Sequence, residues 1–212
     1  MRWTRRLASL AAVVLTATLV GFTPAQAAPA SLDECSASLY HGDRRLGPEQ
    51  TPVAGPVGRQ LFGYSRTGNR PAEQFFTVYY DAVAGSWKYP PQDGYVLTPA
   101  GDPVKAHRTL RLGRRIDRYG SEFGAFLAPE GLPYTTRSIP PQNLVGTPAE
   151  GCNYHVYQVA KAFQVDAGPI APWFYQTGGG VQYQLVGSLV PGAPARLTVL
   201  WLLDNGYLTR LR

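Results

Sequence analysis

Two arginines in one glycine- and proline-rich stretch carry the clearest chemical signal in this sequence. Arg118 and Arg137 lie within Ile116–Pro141, whose repeated breaks are typical of short strands and tight turns that let side chains converge on a ligand. A guanidinium keeps its charge and presents a planar fork of donors that matches phosphate oxygens. The stretch therefore predicts half of a site for an anionic ligand.

The second half of this site is predicted in the stretch Gly168–Tyr183, which combines prolines, aromatic residues and the glycine triplet Gly178–Gly180. No Lys-Ser/Thr pair follows the glycines, which excludes a P-loop. Two interpretations stay open. Either the triplet lets the backbone approach a ligand and delivers Gln182 to it, or it is a flexible turn that carries a surface glutamine.

The elements that must position these residues follow from the hydrophobic pattern. Runs rich in aromatic and β-branched residues indicate strands, and an Asn-Gly pair directly after an apolar run indicates the end of a helix. The predicted elements are strands at Phe75–Asp81, Tyr154–Val159 and Phe163–Val165, the last two as partners, and a short terminal helix over Leu197–Leu203. The expected class is α+β with β-structure dominant.

Two further segments have open interpretations. The turn Ser86–Tyr95 carries Trp87 and Tyr89, and such aromatic residues either cap the core or stack on a planar ligand. The segment Val104–Ile116 is rich in arginine, and a solvated strand face is the expected interpretation.

The N-terminus predicts export. Residues 1–27 combine a basic start, an apolar run and the small-x-small site Ala25-Gln26-Ala27, which is the pattern of a cleaved signal peptide; a membrane anchor is the alternative. Its removal takes three arginines and no acids from a chain with 20 basic and 14 acidic residues, which lowers the net charge from +6 to +3. This mild excess favours neither nucleic acid nor a membrane as a partner.

Two cysteines remain after processing, and in an oxidising compartment Cys35 and Cys152 are most simply a disulfide. Residues 28–74 show no sustained period and are expected to form an irregular N-terminal arm tied down by Cys35. Residues 75–212 are expected to form the functional domain. Three scattered histidines add too few ligands for zinc, and no calcium loop pattern occurs, so no metal is expected.

Five ordered motifs give the chain a resemblance to a known family. DRYGSEFGAFLAPEG, RSIPP, YHVYQV, GPIAPWFYQTGGGVQY and LLDNGYL resemble the TNT domain, the NAD-glycohydrolase domain of the tuberculosis necrotizing toxin, and its secreted fungal relatives. The resemblance covers about Phe75 to Arg212. It implies a compact β-rich core distantly related to ADP-ribosylating toxins, with NAD⁺ or NADP⁺ as substrate, no cofactor, and an immunity protein as a potential partner.

The resemblance also implies roles for single residues. Arg118 would hold the pyrophosphate, Phe126 would stack on nicotinamide where toxin members have tyrosine, and Gln182 would engage the nicotinamide ribose as the third catalytic residue. The implied substrate-binding residues are Arg137, on the other side of the phosphates, with Tyr119, His155 and Trp173.

Two other functions stay open at the level of sequence. An ADP-ribosyltransferase would need a well-placed acid, for which Glu122 is the candidate within the motifs. A secreted binding module would use its aromatic residues to recognise a polymer or a protein, and it would turn over no NAD.

Overall fold

The structure is a computed structural model that describes residues 32–212, so the predicted signal peptide and the first four residues of the arm lie outside it. The described residues form helices α1 (Gly55–Gln60), α2 (Ala72–Tyr79) and α3 (Val199–Asp204), and strands β1 (Tyr80–Asp81), β2 (Ser86–Trp87), β3 (Ala106–Leu110), β4 (Arg115–Tyr119), β5 (Phe126–Pro129), β6 (Tyr154–Val159), β7 (Phe163–Pro169), β8 (Val181–Gln184) and β9 (Leu208–Arg210). The expected α+β class with dominant β-structure is confirmed. No helix within this part of the chain is long and apolar enough to cross a membrane.

The main sheet has seven strands in the order β3-β7-β8-β5-β4-β6-β9, with antiparallel neighbours throughout. β3 and β4 are joined by a tight turn in which the Arg114 amide donates to the Arg111 carbonyl at 3.0 Å. Three strands lie between β3 and β4 in the sheet, and four strand spacings would separate them by about 19 Å if the sheet were flat. Because the ends of a β-turn are less than about 7 Å apart, the sheet must curl.

Strand alternation gives the curled sheet two chemically different faces. The inner face carries the largest apolar cluster, in which Ile116, Leu127 and Tyr183 pack against α3 residues such as Leu202. The outer face carries their sequence neighbours, because successive side chains on a strand point to opposite sides. Asp117, for example, belongs to the outer face and is fully buried there.

Two sequence-based predictions are wrong. Phe75–Asp81 is mostly helix α2, because Phe75 and Tyr79 are four residues apart and bury together on one helical face against Trp87 and Phe174. The segment Phe163–Val165 does not pair with β6: it begins β7, which pairs with β3 and β8. By contrast, the strand Tyr154–Val159 and the short terminal helix are confirmed.

The described part of the N-terminal arm is packed into the domain. Val57 and Leu61 of this arm lie in a second apolar cluster on the outer face, together with Tyr119 and Tyr134. Helix α2 runs across the expected boundary between residues 74 and 75. The expected disulfide between Cys35 and Cys152 closes this cluster and joins residues 117 positions apart.

Candidate active site

Arg118 lies where β4 and β5 separate. Only two residue pairs join these strands, and the last is Asp117 with Ala128. Beyond it the guanidinium of Arg118 fills the gap, where Nε donates to the Ser121 carbonyl at 2.7 Å and Nη1 to the Phe126 carbonyl at 2.6 Å. Two of its five N–H groups are used in this way, so three remain for a ligand.

The charge of Arg118 has no carboxylate partner among residues 32–212. The side chain is half-buried, and burial lowers the pKa of its guanidinium. A partly desolvated cation without a counterion is costly, and an anionic ligand would relieve that cost. Arg118 therefore has the geometry of an anion-binding residue.

Gly124 makes this position of Arg118 geometrically accessible. A Cβ at residue 124 would lie 2.8 Å from Arg118 Nη1 and closer still to Cζ and Nη2. Only a residue without a side chain leaves room for the guanidinium there, so the G-x-F spacing in the sequence serves the arginine as well as Phe126.

Phe126 and Gln182 lie on the same outer face of the sheet. Phe126 stands opposite Gln184 across β5 and β8, and Gln182 shares the face of Gln184 because the two are two residues apart on β8. Diagonal neighbours of this kind are about 7–8 Å apart. Arg118 leaves β4 on the opposite, inner side of the sheet, and its guanidinium reaches the main chain of β5 in the gap, at the Phe126 carbonyl.

One turn orients both glutamines. Asp93, with φ of 57°, accepts from Gln182 Nε2 through its carbonyl and from Gln184 Nε2 through its carboxylate, each at 2.9 Å. With its amide nitrogen held, Gln182 presents Oε1 as an acceptor. Oε1 of Gln184 is buried without a partner among the described residues. Sequence reasoning missed Asp93 and Gln184, and the only signal was the Q-x-Q spacing on a strand.

Two of the three glycines in the triplet Gly178–Gly180 allow close packing of neighbouring backbone. A Cβ at Gly178 would lie 2.7 Å from the backbone of Ala171, and one at Gly180 would lie 2.6 Å from the Thr136 carbonyl. The room at these two glycines is filled by neighbouring backbone, which joins two loops and aligns β8, whereas a Cβ at Gly179 would meet no atom within 4 Å. The triplet positions Gln182 through the fold.

Aromatic side chains line the region beside Arg118. Tyr89 is 58% exposed, and its ring centroid lies 5.9 Å from that of Phe174. Burial of the hydroxyl end raises the pKa of Tyr89, and the charge of Arg118 opposes this rise. Trp173 lies further along the same aromatic cluster and spends its indole N–H on the Lys88 carbonyl at 2.7 Å, which makes it a scaffold residue here.

His155 and Glu122 lie on the inner-face side of Arg118. His155 stands opposite Arg118 across β4 and β6, and burial lowers the pKa of its imidazole. Glu122 is held by Arg210, whose Nε donates to Oε1 at 2.8 Å, and by the Tyr157 hydroxyl at 3.0 Å. These hydrogen bonds, that from Arg210 first, lower the pKa of Glu122 and tie up the acid that a transferase would need.

Arg137 and Tyr119, both expected as substrate contacts, are buried in this structure and contact other side chains. Arg137 is 6% exposed and donates to both carboxylate oxygens of Asp117, at 2.6 and 2.8 Å, and to Gln60 at 3.0 Å. Burial lowers the pKa of Arg137, but the hydrogen bonds to Asp117 outweigh it and raise the pKa overall. Tyr119 is 3% exposed and packs under Arg137. Their contact with substrate stays a prediction.

The arrangement can bind an anion at Arg118, pack a planar ring against Phe126 and present an amide oxygen from Gln182. Its tools are positioning and electrostatics. No cluster of three or more His, Cys, Asp or Glu side chains in residues 32–212 has the arrangement of a metal site.

Comparisons with known proteins show a family and a fold to which this chain is similar. A family model described as tuberculosis necrotizing toxin matches residues 109–211. The conidial surface nicotinamide adenine dinucleotide glycohydrolase nadA of Aspergillus fumigatus is 43% identical over 175 residues, which cover 80% of this chain and 70% of that protein. The solved structure of tuberculosis necrotizing toxin complexed with its immunity factor IFT aligns with a TM-score of 0.50 at 18% identity, over 81% of this chain and 79% of that chain. At that identity the structural likeness shows the fold alone.

Proposed function

This chain belongs to the tuberculosis necrotizing toxin (TNT) family and is an NAD glycohydrolase, and on that premise we propose how its residues cleave the nicotinamide–ribose bond. The single observation that carries the proposal is the position of Arg118. It is a half-buried cation with three N–H groups uncommitted among residues 32–212, and its hydrogen bond to the Phe126 carbonyl holds it in the gap beside the strand that carries Phe126.

Binding comes first in this mechanism. The Nη groups of Arg118 take the pyrophosphate of NAD, because a guanidinium binds phosphate oxygens in pairs. That contact fixes the distance at which the nicotinamide end reaches Phe126, whose ring packs against the pyridinium. Tyr89, exposed beside Arg118, forms the opposite wall. Binding energy at the phosphates thus positions the reacting bond.

Bond cleavage then needs little acid–base chemistry. The electron pair of the C–N bond moves to the nicotinamide nitrogen, which leaves as a neutral ring, and the ribose becomes an oxocarbenium-like cation. The Oε1 atom of Gln182, held in place through Asp93, accepts from a ribose hydroxyl and stabilises the developing positive charge. Water adds to the cation and releases a proton, which gives ADP-ribose and nicotinamide.

The test uses the fluorogenic analogue ethenoadenine-NAD with the disulfide-intact chain. Gln182→Ala should abolish most of the release while the fold survives. Gln158→Ala, at an exposed position of β6, is the matched control and should keep the wild-type rate. A release rate unchanged by Gln182→Ala would remove this glutamine from the mechanism, and labelled ADP-ribose appearing on an added protein would favour a transferase.

Two finer points extend the proposal. NADP hydrolysis is supported by the TNT-family resemblance, and comparison of NAD and NADP turnover by the same enzyme tests it. An immunity protein is supported only by the related toxin, whose solved structure holds its immunity factor; co-purification of the chain with the product of a neighbouring gene would test it.

We also propose that the chain is secreted. The signal-like N-terminus supports this, as does the disulfide between Cys35 and Cys152, since such bonds persist in oxidising compartments. The name of the fungal relative places that protein at the conidial surface. N-terminal sequencing of protein from culture medium should find a chain that begins at Ala28, and an uncleaved N-terminus would contradict the proposal.

A further inference from the structure

A second basic site lies on the inner side of the curled sheet, away from the candidate active site. It is a cavity of about 510 Å³ between β3, β7, β8 and the turn that joins β3 to β4. Its lining includes three arginines, Arg108, Arg111 and Arg114, and no carboxylate. We refer to it as the arginine groove. Its volume is in the range of sites that bind small ligands, roughly 300–1,000 Å³.

The three arginines are set apart from the other basic residues of their segment by strand alternation and the turn. His107 points to the outer face and contacts Asp166 at 2.7 Å, and Arg115 pairs with Glu130. Arg108, in contrast, pairs in register with Val165, which belongs to the inner apolar cluster. The arginines of the groove form no ion pair with any carboxylate of residues 32–212.

The walls of the groove add features that a merely solvated strand face lacks. Tyr183 lines it and its hydroxyl accepts from Arg114 Nη2 at 3.5 Å. Pro169 and Val181 form an apolar side. Three like charges that converge beside an apolar wall repel one another, and an anion with several charges would reverse that repulsion.

The groove is separate from the candidate active site. Arg114 and Arg118 are four residues apart, a distance of about 13 Å along an extended strand. On β8, Tyr183 points into the inner cluster whereas Gln182 points to the outer face. One strand therefore contributes to two different sites from its two faces.

We propose that the arginine groove binds a nucleotide through its pyrophosphate group, as a second anion site independent of the catalytic one. The three guanidinium groups contact the phosphate oxygens, and the side formed by Pro169, Val181 and the Tyr183 ring packs against the sugar or base. Pyrophosphate alone shares the charged part of this chemistry, so it serves as the minimal ligand. The proposal does not rest on NAD hydrolysis, because pyrophosphate, ADP and adenosine, the three probes of the test, contain no nicotinamide–ribose bond.

The test is calorimetric titration of inorganic pyrophosphate and of ADP, with adenosine as the uncharged comparison. The chain carries Arg118→Ala, so that the active-site arginine contributes nothing. We expect the triple variant Arg108→Gln, Arg111→Gln, Arg114→Gln in this background to weaken the binding of both anions at least tenfold. The matched control removes the same charge elsewhere, at three exposed arginines that do not line the groove: Arg59→Gln, Arg70→Gln and Arg196→Gln.

The outcomes distinguish binding at the arginine groove from a general effect of net charge. The proposal is supported if the triple variant of the arginine groove loses affinity for both anions while the triple control variant changes little. Tighter binding of ADP than of pyrophosphate would assign the apolar side of the groove to the nucleoside. Equal weakening of anion binding in both triple variants would show an effect of net charge only and would overturn the proposal. Unchanged affinity in the triple variant of the groove, or no binding by the Arg118→Ala protein itself, would also overturn it. If the triple variant does not fold, Arg111→Gln alone replaces it, because the side chain of that exposed turn residue makes no hydrogen bond or ion pair with residues 32–212, and it should still weaken binding severalfold.

Discussion

Gly124→Ala should remove the function of Arg118 without touching Arg118 itself. The backbone at Gly124 does not require a left-handed conformation, so alanine is allowed there on dihedral grounds. The new Cβ, however, would occupy the space of the guanidinium, 2.8 Å from Nη1 and closer to Nη2. Because the guanidinium is the far end of a flexible side chain, it can move away while the backbone stays.

The structure gives the size of the effect. Moving the guanidinium breaks its hydrogen bonds to the carbonyls of Ser121 and Phe126, at 2.7 and 2.6 Å, and with them the placement of its phosphate contacts. A hydrogen bond to a charged group contributes about 1.5–3 kcal/mol. Loss of one such contact to NAD corresponds to about a 10- to 150-fold decrease in kcat/KM. The two carbonyls also lose a charged donor, so the free energy of unfolding should fall by about 1.5–3 kcal/mol for each of these bonds that water does not replace.

The assay measures kcat and KM with ethenoadenine-NAD, beside calorimetric binding of ADP-ribose and a thermal unfolding curve. Gly151→Ala is the matched control, because a Cβ at Gly151 would meet no atom within 4 Å. The control should behave as wild type in all three measurements. If Gly124→Ala binds ADP-ribose and turns over NAD as wild type does, Arg118 does not hold the pyrophosphate from the position seen here.

Three further predictions concern stability. Arg137→Ala should lower the free energy of unfolding by about 3–5 kcal/mol in urea titrations, because it leaves Asp117 buried and unpaired; a loss below 1 kcal/mol would contradict the buried pair. Cys35→Ser should cost about 2–5 kcal/mol, and reduction of the wild type with dithiothreitol should cost the same, whereas it should leave Cys35→Ser unaffected. Burial lowers the pKa of His155 below its value in the unfolded chain. The unfolded state therefore binds more protons than the folded state as the pH falls through about 6.5, and the wild type should lose stability relative to His155→Gln between about pH 7 and pH 5. Parallel profiles of stability against pH for the two proteins would refute this prediction.

The sequence was informative where one local pattern decided the outcome. The alternation in YHVYQV predicted β6 with its observed bounds, and the Asn-Gly stop predicted α3. It was misleading at Phe75–Asp81, where a run of aromatic residues suits a strand by composition but buries Phe75 and Tyr79 with a helical period. Tertiary packing against Trp87 selected the helix, and no signal within the run itself contained that information.

In the candidate active site, too, local patterns were informative and contacts between distant residues were not predictable. Arg118 and Gln182 could be selected as candidates from residue type and the breaks around them, and their joint role in catalysis stays a prediction. The roles of Asp93 and Gln184 depend on a contact between residues about ninety positions apart, which a single sequence does not reveal. The burial of Arg137 depends likewise on its pairing with a residue of another element.

Arg118 and Arg137 differ in whether a carboxylate neutralises them, and the alternation of side chains along β4 is the reason. Asp117 and Arg118 are adjacent on β4, so their side chains leave the sheet on opposite sides, and the acid that is nearest to Arg118 in sequence is unable to neutralise it there. Asp117 instead takes Arg137 as its partner inside the outer cluster, with hydrogen bonds from the Gly131 amide at 2.8 Å and the Tyr154 hydroxyl at 2.9 Å completing its shell. That pairing fixes the loop before the Pro-Pro motif and consumes the carboxylate. Among residues 32–212, Arg118 is left without a counterion, and a shift of β4 by one residue would exchange the faces of Asp117 and Arg118 and remove this charge from the candidate active site.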